Sequence, residues 1–167
     1  YRMMYVNQFC RLNCLGPWEK GNRMLIGLPN ALTPDLLRHL KAMGHGDELV
    51  IADANFPAES CGARIERLAG ISATEALEAI LTLMPLDSYV EAPARTMQVV
   101  GDPEAVPDVV AEFQRIIDTT ADNPARVRSV ERHAFYVEAR KAYCVVQTAE
   151  TRFYGNIILS KGVVSPD

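Results

Sequence analysis

The chain has 167 residues, of which 49% are hydrophobic and 23% charged, as in an ordinary globular domain that can bury a core without disulfides or metal. Seventeen basic residues against 21 acidic ones give a net charge of −4, which argues against nucleic acid as a partner. No apolar run approaches the ~18 residues of a membrane span. Neither the four cysteines nor the three histidines fall at metal-ligand spacing, so the chain reads as a reduced, cytoplasmic protein with no metal.

Residues 1–23 show neither helical nor strand period and lack the parts of a signal peptide. They read as an N-terminal extension, or as sequence upstream of a start at Met24, and the domain is taken as residues 24–167. Thr33-Pro34-Asp35 is a helix start: N-cap, proline in the first turn and an acid beside it. Leu36, Leu37, Leu40 and Met43 continue at helical spacing up to Gly44. Leu49–Ala52 is a short apolar run, read as a buried strand ending at Asp53. Ser72-Ala73-Thr74-Glu75 is a capping box ahead of Leu77, Ile80, Leu81 and Met84, with Pro85 as the stop.

Thr96–Val100 reads as a strand, and Pro107 opens a helix whose apolar face is Val110, Phe113, Ile116 and Ile117. A strand over Val127–Val130 and a helix over Arg132–Ala142 follow. The last strands, Tyr143–Thr148 and Asn156–Ser160, are expected to pair as a hairpin through loop 149–155, with Cys144 a buried free thiol. Alternating helices and strands imply an α/β fold, a single layered domain.

Polar clusters at the ends of these elements are where chemistry can sit. His45 lies between Gly44 and Gly46 at a helix-to-strand turn, either open to a ligand or simply a turn residue. Asp53 ends a buried strand, where open α/β sheets bind ligands, but an Asx-turn or helix cap suits it equally. Phe153-Tyr154-Gly155-Asn156 offers a phenol and an amide around a glycine, for hydroxyls or for a turn. Spacing does not separate these readings.

Five segments together carry a resemblance: Met43–Glu48, Ala52–Ala58, Pro85–Val90, Ala134–Tyr136 and Tyr154–Gly162. In order and spacing they resemble the sugar mutarotase family that contains L-fucose mutarotase and D-ribose pyranase. The likeness runs from about Met24 to Val164. Tyr154-Gly155-Asn156 with Arg132-x-x-Phe135-Tyr136 resembles the fucose branch more closely. His133 stands where that branch is expected to have phenylalanine, and Asn55 where some members have histidine.

The resemblance implies a cofactor-free isomerase that exchanges the α and β anomers of a monosaccharide, L-fucose by preference. D-ribose or another sugar, or a non-catalytic sugar-binding oligomer, are the alternatives. By position in the motifs, His45 is implied as proton donor, and Asp53, Arg132, Tyr154, Gly155 and Asn156 as sugar contacts, with Asp87 and Tyr136 beside them. Tyr154 is the candidate for relaying the second proton. A ring-like homo-oligomer, decameric or octameric, is implied as well.

The residues suit the reaction. Unassisted mutarotation takes minutes, a barrier on the order of 20–22 kcal/mol, and positioned acid–base groups remove about 3–5 of these. Imidazole is suited to proton transfer near neutrality. An extended strand over residues 47–53 spans ~20 Å, so His45 and Asp53 meet only if the chain bends back or two subunits share each site.

Overall fold

In a computed structural model, residues 25–164 are described. Residues 1–23, and with them the expected extension, lie outside the described residues. Residues 25–30 belong to a separate short unit of bends and turns, and the fold below is that of the unit beginning at Ala31.

In chain order the elements are α1 (Pro34–Ala42), β1 (Glu48–Ala52), α2 (Ala58–Cys61), β2 (Ile65–Leu68) and α3 (Ala73–Leu81). Then come β3 (Ala94–Met97), α4 (Asp108–Thr120), β4 (Arg128–Val130), α5 (Arg132–Ala139), β5 (Cys144–Thr148) and β6 (Ile157–Ser160). Helix starts follow the sequence signals. Thr33 Oγ1 accepts from the Leu36 amide at the head of α1. At α3 both halves of the Ser72/Glu75 capping box are made.

The six strands form one mixed sheet in the order β2-β5-β1-β6-β3-β4. β1 runs parallel to β5 and antiparallel to β6, while β3 is antiparallel to β6 and parallel to β4. The expected β5–β6 hairpin is therefore wrong: β1 lies between the two strands. The reason is burial. Leu49, Val50, Ile51 and Ala52 are apolar on both faces of the pleat, and only a central position covers both. β2 and the short α2 were not expected; β2 is a partly exposed edge strand of sequence Ile-Glu-Arg-Leu, with no clear alternation to mark it. The strand expected over Thr96–Val100 begins two residues earlier and ends at Met97.

On one face Val50, Ala52, Val145 and Ile158 pack with Phe56, Ala58 and Cys61 around α2 and with Phe135 and Ala139 of α5. α3 packs on β1 and against α4, whose Val110, Phe113 and Ile117 are buried. Cys144 is fully buried, and burial pushes its thiol up to about 11, so it stays a protonated apolar side chain near neutrality.

Phe135 joins this core to the loop after β1: its ring meets Phe56 edge-on at 6.3 Å and is wholly buried. Phe135→Ala is expected to cost about 3–5 kcal/mol of stability, the usual loss for a fully buried aromatic. Urea unfolding at one fixed protein concentration measures it; a loss below 1 kcal/mol would show that the site collapses around the gap.

Candidate active site

Two polar clusters form, one at each end of β1. At its N-terminal end Gly46 takes φ +80°, a left-handed turn favouring glycine, and donates its N–H to the Lys161 carbonyl at 2.9 Å. This turn presents His45, whose side chain is 46% exposed. His45 Nε2 lies 3.1 Å from Oδ2 of Asp87, a side chain only 2% exposed. With Asp87 as the acceptor of this bond, Nε2 donates, and Nδ1 is the ring nitrogen outside the pair. Asp87 Oδ1 accepts from the Tyr89 amide at 2.9 Å, which fixes the carboxylate. Tyr89, 76% exposed, sets its ring edge-on to the imidazole at 5.6 Å.

At the C-terminal end Asp53 opens into a cleft of about 380 Å³ lined by Asn55, Phe56, Met97, Arg132, Tyr136, Tyr154 and Asn156 among others. Asp53 is 5% exposed. Its Oδ2 accepts from Asn156 Nδ2 at 2.7 Å, and its own amide donates to Asn156 Oδ1 at 2.9 Å. Oδ1 accepts from the Asn55 amide, the Asx-turn that sequence alone could not distinguish from a ligand site. The turn is made, and the same side chain also lines the cleft. Burial pushes the Asp53 carboxyl above the usual range, opposed by the bonds from Asn156 and the backbone.

Tyr154 stands at the cleft with φ 63°, the single non-glycine residue at positive φ among the described residues. Its hydroxyl oxygen accepts from the Val100 amide at 3.1 Å, which leaves its O–H free to donate into the cleft. Arg132, the first residue of α5, lines the cleft with its guanidinium 6.0 Å from the Tyr136 ring, and is in no ion pair among the described residues. The Tyr136 ring in turn lies at 5.7 Å from Phe56, tilted by 30°.

Asp53, Arg132, Tyr136, Tyr154 and Asn156 thus come together, whereas His45 and Asp87 form their own cluster away from this cleft. A Cβ on Gly155 would come within 2.7 Å of Glu150 Cγ, so its bare Cα makes room for the Glu150 side chain. His133 is exposed and takes no part in lining the cleft, while Asn55 does line it. Sequence reasoning missed Met97, Val100 and Tyr89. Val100 contributes through its amide, for which no side-chain signal exists.

Removing the Asn156 amide strips Asp53 of a bond that holds its carboxyl down against burial. Asn156→Ala is therefore expected to raise the Asp53 midpoint, followed by its carboxyl ¹³C shift against pH. An unchanged or lower midpoint would mean that Asn156 does not stabilise the ionised form.

Residues 27–164 match the family described as "RbsD / FucU transport protein family". An L-fucose mutarotase of Actinobacillus pleuropneumoniae (serotype 5b, strain L20) is 45% identical over 140 residues, covering 84% of this chain and 97% of the relative. The fucose mutarotase of Homo sapiens is 46% identical over 147 residues, covering 84% and 95%. Among solved structures, the fucose mutarotase of Streptococcus pneumoniae in complex with L-fucose superposes with a TM-score of 0.79 at 42% identity, covering 84% of this chain and all of that one. Bacillus subtilis RbsD complexed with D-ribose shares the fold at TM-score 0.66 and 20% identity, covering 80% and 95%.

Proposed function

The chain belongs to the RbsD / FucU family, and on that premise we propose that it is an isomerase exchanging the α and β anomers of L-fucose without a cofactor. The observation that carries this reading is the Asp53 cleft: a buried carboxylate, an amide, a guanidinium and a free phenol O–H converge on a space of about 380 Å³. Such donors and acceptors suit a polyhydroxylated ring, and the wall of Phe56, Tyr136 and Met97 suits its apolar face. L-fucose is favoured over ribose because the relatives named as fucose mutarotases share 42–46% of their residues with this chain, against 20% for the ribose-bound structure.

Each chain carries two halves of a site. His45 with Asp87 and Asp53 with Tyr154 sit at opposite ends of β1, on the order of 20 Å apart by strand rise. The proposed enzyme is a ring-like homo-oligomer in which the His45 end of one copy closes the Asp53 cleft of the next. Both halves carry bare apolar groups that a second copy would cover: Tyr89 and Val90 at one, Val100 and Phe153 at the other.

In the joined site Asp53, Asn156 and Arg132 hold the ring hydroxyls. His45 of the neighbouring copy gives a proton to the ring oxygen, and its Asp87 stabilises and orients the charged imidazole. As the C1–O5 bond breaks, the proton on the anomeric oxygen leaves through the Tyr154 hydroxyl, whose own proton passes to solvent. The aldehyde rotates about C1–C2 and closes on its other face, and the two proton transfers run in reverse.

Saturation-transfer NMR on the purified protein with L-fucose reads anomer exchange directly. His45→Ala is expected to lose most of it, roughly 10²-fold or more for one acid–base group, with the fold retained. Asp53→Asn is expected to weaken sugar binding. Mixed and reassembled in equal amounts, the two variants should regain roughly a quarter of wild-type exchange, since random assembly restores that fraction of junctions. Binding of fucose without exchange in the wild type would overturn the enzymatic reading; no recovery on mixing would overturn the shared site.

A further inference from the structure

Glu150 takes no part in the chemistry above, yet it is 4% exposed and both of its carboxylate oxygens are engaged. Arg152 forks onto it, Nε to Oε1 at 2.9 Å and Nη2 to Oε2 at 2.8 Å, and the Arg152 amide adds a bond to Oε1 at 3.0 Å. The third arm of the same guanidinium, Nη1, reaches Glu112 Oε2 on α4 at 3.0 Å. The Glu150 carbonyl accepts from the amide of Ala54, the residue after Asp53, at 2.9 Å. Its Cγ fills the space that a side chain at position 155 would need. Before Tyr154, Arg152 is therefore fastened to this one buried carboxylate, and after it Gly155 lies against the Glu150 side chain.

Tyr154 needs such fastening. Its left-handed backbone is disfavoured for an aromatic residue and persists only where the surroundings over-determine it. The Asp53 carboxylate has holds of its own, Asn156 and the Asn55 amide on its two oxygens. We propose that Glu150 and Arg152 are positioning residues, a charged clamp that holds the loop tip in the conformation that aims the Tyr154 hydroxyl at the sugar. The proposal rests on the role given to Tyr154 above. It separates two functions within one cleft, with sugar affinity residing in Asp53 after β1 and the rate residing in the clamp and the phenol between β5 and β6. Arg152 is matched to this use because its fork makes two directional bonds to one carboxylate while the remaining nitrogen ties a helix.

The test is a double-mutant cycle on the full chain, reading exchange rate at saturating L-fucose and fucose affinity for each variant. Glu150→Gln is expected to slow exchange roughly tenfold or more while affinity stays within about twofold, the signature of lost transition-state alignment. In a Tyr154→Phe background the same substitution is expected to add almost nothing. An equal factor in both backgrounds, or a loss of affinity matching the loss of rate, would overturn the clamp and leave the role of Tyr154 standing. A Tyr154→Phe protein with wild-type exchange would overturn both. Should Glu150→Gln not fold, Arg152→Lys, which keeps the charge and loses the fork, runs through the same cycle with the same outcomes.

Discussion

The site depends on the reciprocal pair between Asp53 and Asn156. An ionised carboxylate removed from water costs several kcal/mol unless its lone pairs are met, and Asn156 meets it with a donor while taking the Asp53 amide on its acceptor. The pair can form because β1 and β6 are antiparallel neighbours whose register runs out through Ile51 and Ile157, which places Asp53 after one strand diagonally across from Asn156 before the other. The cleft floor is thus an extension of the sheet's own pairing by side chains. The linkage sign shows what it costs. A carboxyl raised in the folded state favours folding below the ordinary aspartate range and loses that contribution as pH rises through its raised value. Once ionised, Asp53 works against the fold, a cost that fits the ligand role proposed for it.

Local signals in the sequence were read correctly where the physics is local. The Thr33 cap, the Ser72/Glu75 box and the run ending at Asp53 each depend on a few adjacent residues, and each appears as expected. The failures are non-local. Nothing in Tyr143–Ser160 announces that β1 inserts between its two strands, since that follows from the need to bury both faces of Leu49–Ala52. β2 escaped because an edge strand of mixed polarity has no period to read. For the cleft, the family motifs point to Asp53, Arg132, Tyr136, Tyr154 and Asn156, while spacing alone leaves Asp53, Tyr154 and Asn156 open to a turn or cap and gives Arg132 and Tyr136 only a place in a helix. At Gly155 the sequence shows that a side chain is missing but not that Glu150 fills the space.

The two carboxylates at the ends of β1 are built alike. In each, one oxygen accepts from the amide two residues on, and the other faces the working partner, His45 for Asp87 and Asn156 for Asp53. The Asx-turn and the functional contact are therefore not competitors. The turn removes the freedom of the carboxylate, so that the second oxygen meets its partner without further loss of side-chain entropy. At Asp53 the turn and the proposed ligand role are compatible, because the bond from the Asn55 amide serves both.

A rigid strand between the two clusters also constrains how a complete site can arise. β1 is central, buried on both faces and paired on both edges, so its ends cannot approach one another by bending. A complete site of the proposed kind then has to draw its halves from different copies. A two-fold contact would have to bring both ends of β1 into one face, whereas a head-to-tail contact needs only one end from each copy. Repeated with a rotation that divides a full turn, as the proposed ring requires, the head-to-tail contact closes on itself. In such a ring every copy gives its His45 end to one neighbour and its Asp53 end to the other, so no half-site is left over. Activity then depends on assembly itself, and a chain whose interface is weakened loses exchange while each separate fold, cleft and clamp remains intact.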